Sequence, residues 1–304
     1  METKHIDLPK LLGSPLYNAP APKLLEYTDW YSQDEELIVV RHERTLLGNN
    51  RRVSQYGSRA VAWDLCWKHC LEKYKAGDNN LTSLLPPFLA SPEQPLRYFG
   101  KYISPRSQGL LYTVQKTILS HLIMKWGRGS VLAEFGCGSG YNLALAKDLQ
   151  NSEYSTQCGF DWSPAAIECV RALGFAGDTF DMNAPSQGLD GSLLSCLPWA
   201  STTVLTAGAM EQLGENCWPF VKFLLDKKPT MCIHVEPLIE LYDRGNLFDD
   251  EAARYHTARG YLVGFQRIIQ QLASIDKAVL YEVHRTHFGG RFNDGFSWVV
   301  WRPL

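Results

Sequence analysis

The feature that most constrains the fold is an alternation that begins near residue 110. Helix-like LLYTVQKTILSHLIMKW is followed by strand-like SVLAEF, a glycine turn and helix-like YNLALAKDL. YSTQCGFD, FAGDTFDM, STTVLTAGAM and TMCIHVEPL read as further strands, and SPAAIECVRALG and NCWPFVKFLLDK as helices between them. Strands alternating with helices at this spacing form a parallel sheet covered on both faces. The chain then offers helix YLVGFQRIIQQLA, strand KAVLYEVHRT, a glycine-rich turn and strand FSWVVWRPL. Two late strands joined by a short turn predict an antiparallel hairpin at the sheet edge. The expected fold class is α/β, with a doubly wound, mostly parallel seven-stranded sheet.

The first ~109 residues differ. They are rich in proline and aromatics, as in LGSPLYNAPAPKLLEYTDWY and LLPPFLASPEQPLRYFG, and the prolines break them into short helices and loops. AVAWDLCWKHCLEKY is the clearest helix there, with apolar spacing near 3.6. This part is expected to form a helical cap joined to the rest through RYFGKYISPRSQG. With 45% hydrophobic and 20% charged residues the chain can build a large core. The net charge is −2, and basic runs do not exceed doublets such as Arg51-Arg52 and Lys227-Lys228, which disfavours a nucleic-acid partner. No apolar stretch approaches the ~18 residues of a membrane span. The opening METKHIDLPKLL lacks a basic head followed by an apolar run, so no signal peptide and a cytoplasmic location are expected. The eight cysteines are scattered, and no disulfide framework is expected. CWKHC, with Cys66, His69 and Cys70, reads as a helix carrying two buried thiols, because no second ligand pair follows it.

The turn EFGCGSG places Gly136, Gly138 and Gly140 at alternate positions between a strand and a helix. Ligands of open parallel sheets bind outside the carboxyl ends of the strands, and glycine lets the main chain come close to them. A dinucleotide fingerprint, GxGxxG, would need a glycine where the chain has Tyr141. EFGCGSG, then an acid at the end of the next strand in GFDWSP, then FDM one unit later, together with the terminal strand pair, resemble the class I S-adenosylmethionine-dependent methyltransferases. The resemblance covers residues 110–304. It implies a Rossmann-like sheet, S-adenosylmethionine as cofactor and methyl transfer as the reaction. It implies a cofactor-binding domain over 110–304, roofed by residues 1–109 as a substrate lid. On the family pattern Glu134, Gly136, Cys137, Gly138 and Gly140 border the methionine and ribose. Asp161 takes both ribose hydroxyls, which suits a carboxylate. Asp181 accepts from the adenine amino group, and Met182 gives backbone and apolar contact. Phe160 and Trp162 flank the ribose acid, lining the adenine slot or belonging to the core. Asp161 could instead cap the following helix, a role for which Ser163 competes, and Asp181 could sit in a polar turn. Tyr102 and Arg106 stand where many relatives bring a residue to the methionyl carboxylate, where a guanidinium binds bidentately; a surface loop is the other reading.

Methyl transfer from a sulfonium is an in-line displacement. The protein aligns the acceptor and, for a hydroxyl, removes its proton. Candidates therefore fall at the ends of the fourth and fifth strands. Glu211 and Gln212 in TAGAMEQLG face the cofactor or the acceptor, or form the first turn of a helix. His234 and Glu236 in CIHVEPL are two apart, so in a strand they point the same way and suit a general base and its orienting partner. Downstream, Tyr255, His256 and Arg259 fall on a helix start or lid. His256 is a second candidate base, or joins His234 and Glu236 as a divalent-metal triad, a reading not favoured. His284 and His287 read as structural. The expected function is O-methylation of a sugar or natural-product hydroxyl. The rival readings are methylation of a protein side chain or tRNA, and a non-catalytic binding protein on the same fold.

Overall fold

The computed structural model describes residues 2–19, 21–22, 25–49, 59–77, 80–86, 89, 94–149, 154–185 and 192–304, so the Arg51-Arg52 doublet lies outside the described residues. The central sheet starts from β5 (Val131–Phe135), whose five residues are all buried, as expected of a strand covered on both faces. Its companions are β6 (Thr156–Asp161), β7 (Ala176–Thr179), β8 (Thr202–Ala207), β9 (Met231–Glu236), β10 (Ala278–His284) and β12 (Ser297–Pro303). The order is β10-β12-β9-β8-β5-β6-β7. The five strands from β9 to β7 run parallel, while β12 is antiparallel to both β9 and β10. The doubly wound seven-stranded sheet and its edge hairpin are thus as expected.

Alternation along each strand divides two apolar layers. Leu132, Leu205 and Ile233 pack on one face against Val114, Ile118 and Leu122 of α4 (Leu110–Trp126). The same layer holds Leu143 of α5 (Tyr141–Lys147) and Val170 of α6 (Pro164–Ala172). Ala133, Phe135, Val204 and Cys232 face the other way. They meet Phe220 and Leu224 of α7 (Trp218–Lys227), and Phe265 and Ile269 of α9 (Phe265–Ser274). Ser163 starts α6 by accepting from the Ala166 N–H at 3.2 Å, with Pro164 at the first helical position.

The N-terminal part is not only helical. β1 (Lys4–His5) precedes α1 (Leu8–Leu12), β2 (Glu26–Asp29) lies between α1 and α2 (Gln33–Asn49), and β3 (Leu96–Tyr98) and β4 (Lys101–Pro105) follow α3 (Arg59–Ala76). They form an antiparallel sheet in the order β1-β2-β4-β3-β11. β11 (Phe288–Gly289) lies in the turn between β10 and β12, where Phe288 pairs with Tyr98. Strands of two to five residues are too short to print a period on the sequence, which is why these segments read as loops.

Buried ion pairs fix α8 (Leu247–Arg259) over the sheet. Arg285 reaches both Asp249 at 2.5 and 2.7 Å and Asp294 at 2.7 and 2.9 Å, and Arg97 reaches Asp294 at 2.9 Å. Arg41 and Arg44 of α2 hold Glu251 of α8. All eight cysteines are free. Among the described residues, no helix is long and apolar enough to cross a membrane.

Candidate active site

Strand order reverses between β5, which leads on to β6 and β7, and β8, which leads on to β9. A crevice opens at the carboxyl ends of the strands where the order reverses. The glycine turn sits there, and a cavity of about 500 Å³ opens beside it. Gly136, Gly138 and Gly140 have φ of +68°, +51° and +74°, a region that favours glycine. What presses on them is protein. A Cβ on Gly136 would run into Ala209, one on Gly138 would stand 2.6 Å from the Trp67 ring, and one on Gly140 would stand 3.0 Å from Val170.

The turn is tied to the end of β6. The Gly136 and Cys137 N–H groups donate to the Phe160 carbonyl at 2.7 and 3.1 Å. Asp161 Oδ2 accepts from the Gly138 N–H at 3.0 Å and Oδ1 from the Ser163 N–H at 2.9 Å. Ser163 therefore takes the helix cap, and Asp161 braces the glycine turn. Burial raises the Asp161 pKa, against the pull of these N–H donors. A carboxylate offers about four acceptor positions, and these two bonds use two.

Of the expected cofactor residues, Gly136, Cys137, Gly138, Asp161, Trp162, Asp181 and Met182 line the cavity. Asp181 also accepts from the Asn183 N–H at 2.8 Å, so its polar-turn role and its place in the wall coexist. Phe160 is core, stacked on Phe135. Four expected residues stand elsewhere. Glu134 lies behind the wall, fully buried, with Oε1 accepting from Asn142 Nδ2 at 2.7 Å and Oε2 without a partner. Burial pushes its pKa up to about 8. Gly140 packs on α6 instead of the cavity. Arg106 is exposed on the loop after β4, and Tyr102 is buried edge-on against Phe248; neither is among the wall residues.

The expected His234–Glu236 base does not reach the cavity. The two residues do point the same way, but parity puts His234 on the face covered by α7 and α9. Its ring lies between Phe265 and Trp301, with Nδ1 2.9 Å from Thr206 Oγ1. Burial lowers its pKa to about 3. Glu236 accepts from the Ala209, Met210 and Glu211 N–H groups at 3.1, 3.1 and 3.2 Å. Burial raises its pKa to about 7, and Thr206 and these donors oppose that rise. The pair shares the Thr206 hydroxyl and serves to brace the loop after β8. His256 is also buried away from the wall, its Nε2 2.6 Å from the Leu262 carbonyl, with its pKa lowered to about 4 by burial. Among the described residues no group of three His, Cys, Asp or Glu could hold a metal ion.

Glu211, Gln212, Tyr255 and Arg259 do line the cavity. Gln212 Nε2 donates to Glu211 Oε1 at 2.7 Å, and Arg259 Nε donates to the Tyr261 hydroxyl at 3.3 Å. Tyr255 stacks on Phe292 with centroids 4.7 Å apart. Sequence reasoning missed Trp63, Trp67, Tyr112, Tyr261 and Phe292 as wall residues. Trp63 and Trp67 carried a signal, since residues four apart on one helix share a face. Phe292 carried none, because it arrives from the turn between β11 and β12.

No protein-family model matches the sequence, and no curated protein matches it. Among solved structures, the plantazolicin methyltransferase BpumL in complex with SAH is 15% identical over 87% of this chain and 99% of that one, with a TM-score of 0.41. OxaC in complex with SAH and oxaline is 14% identical over 57% of this chain, with a TM-score of 0.37, and the match spans only 42% of OxaC. A SAM-dependent methyltransferase from Aquifex aeolicus is 13% identical over 58% of this chain and 84% of that one, with a TM-score of 0.35. The match to each of these structures is partial, and the sheet order β10-β12-β9-β8-β5-β6-β7 is a property of this chain. The sheet order and terminal hairpin are those that the resemblance to the class I methyltransferases implies. What the chain binds is a matter for its own residues.

Proposed function

We propose that the chain is an S-adenosylmethionine-dependent methyltransferase acting on a small molecule, at a hydroxyl oxygen of a sugar or natural product. One observation carries the reading: Asp161 and the glycine turn are bonded to each other and share one cavity at the point of strand reversal. The residues suit the cofactor. Asp161 retains two acceptor positions for a pair of ribose hydroxyls. Asp181 and Met182 stand one strand further on, in reach of an adenine ring. The sulfonium, when bound, supplies a methyl group already activated by positive charge.

The chain's own part is alignment and proton removal. Glu211 is the cavity carboxylate beyond the glycine turn, held there because Glu236 fixes its N–H. We assign it the role of taking the acceptor hydroxyl proton, in place of His234. Tyr255, Tyr261 and Phe292 shape the acceptor side, and Arg259 orients polar groups there. A substrate lid from residues 1–109 belongs to the same proposal, as do a cytoplasmic location and the absence of a nucleic-acid substrate.

The test is calorimetric titration with S-adenosylhomocysteine. Wild type should bind one equivalent, and Asp161→Ala should bind at least tenfold more weakly, as charge-assisted hydrogen bonds are lost. Absence of binding to the wild type overturns the reading. Incubating cell extract with a methyl-labelled donor separates the substrate classes: label in the low-molecular-weight fraction supports a small molecule, and label in protein or RNA overturns it.

A further inference from the structure

Trp67 comes from the N-terminal part, yet it lines the cavity at the glycine turn. Its indole lies against Gly138, whose N–H holds Asp161. Its ring is stacked on Trp63, centroids 5.3 Å apart and planes 21° from parallel, and both rings line the cavity. The helix that carries them, α3, is fastened to the segment that carries Asp161. Ser163 Oγ donates to Asp64 Oδ1 at 2.6 Å, the Ala165 N–H donates to the same oxygen at 3.4 Å, and Cys169 Sγ donates to the Trp67 carbonyl at 3.5 Å. One element of the N-terminal part is therefore built onto the loop after β6, not over the acceptor walls.

The three glycines meet different neighbours. Gly136 is closed by Ala209, from the cavity-lining loop after β8, and Gly140 by Val170 of α6. Gly138 is covered by a side chain that also faces the cavity. We propose that Trp67 is a donor-binding residue, its indole covering Gly138 and extending the glycine-turn side of the cavity, against which the nucleoside donor lies. Asp64 acts as a positioning residue that holds α3 to this task. The inference rests on the methyl-donor reading and adds that α3 serves the donor, not the acceptor. A flat, rigid ring pair suits this role, because it gives large contact area with few rotors to freeze.

The probe is S-adenosylhomocysteine, followed by calorimetry and by tryptophan emission. Wild type is expected to bind with a change in emission. Trp67→Ala is expected to raise Kd about tenfold, as for loss of one aromatic contact, and Trp67→Phe less than threefold. The emission change should fall by at least half in Trp67→Phe, with Trp162 also lining the cavity, and persist in Trp63→Phe, a readout that a merely structural tryptophan would not move. Asp64→Asn should raise Kd without abolishing the emission change. Wild-type affinity in Trp67→Ala, or an unaltered emission change in Trp67→Phe, overturns the proposal while leaving the methyl-donor reading standing. Failure of the wild type to bind overturns both.

Discussion

Replacing Glu134 by glutamine tests whether a proton is stored behind the glycine turn. The carboxyl is fully buried, one oxygen is without a partner, and its pKa stands at about 8 against an ordinary 4.5. Between those values the folded chain keeps a proton that the unfolded chain has released. Stability therefore falls as pH rises through this window and levels off above it. The full span is worth about 5 kcal/mol. The clean part is pH 7 to 8. Buried His121, His234 and His256 have lowered pKa values, so they act with the opposite sign and below about 6.5. Glu236, at about 7, has largely completed its own effect. Over that single unit Glu134 alone contributes a loss of about 1 kcal/mol. Glutamine keeps an oxygen for Asn142 and does not titrate. Urea unfolding of both proteins at pH 7.0, 7.5 and 8.0, extrapolated to water, should show the wild type losing about 1 kcal/mol more than Glu134→Gln. Parallel profiles would refute the stored proton.

Three further outcomes follow from the same geometry. Glu211→Gln should cut methyl transfer to the labelled small-molecule fraction by at least about a hundredfold, as for loss of a general base, with S-adenosylhomocysteine affinity unchanged; undiminished transfer moves the base elsewhere. Glu236→Gln sets an NH₂ group against one of three N–H donors and should cost about 2 kcal/mol in urea unfolding, whereas a neutral result would mean that the loop after β8 is braced by other bonds. Asp249→Asn leaves the Arg285 guanidinium short of one of its two buried carboxylates and should cost about 3 kcal/mol, readable as a lowered midpoint; an unchanged midpoint would show the cluster to be dispensable.

The parallel sheet was legible because each β-helix unit shows its period, and the glycine turn because alternate glycines are rare within such a unit. Asp161 was legible because it ends the strand that follows the glycine turn, one β-helix unit on, in GFDWSP. His234 shows where sequence reasoning stops. Two residues apart in a strand fixes a shared direction, and that expectation held, but which side faces ligand is set by the helices packed on each face. Glu211 sits on a short turn whose orientation depends on Glu236, a residue distant in sequence. Trp67 was hidden for a different reason: its helix was visible, while the surface it would settle on was not.

β11 has a kinetic consequence. Two residues in the turn before the last strand complete a sheet whose other members lie before residue 106. A ribosome exposes those members long before Phe288 and Gly289, so the small sheet must wait with β3 as an open edge. Such distant pairings slow folding and leave intermediates prone to association. Refolding should therefore show a late phase, shared by probes in both halves of the chain, that closes this edge.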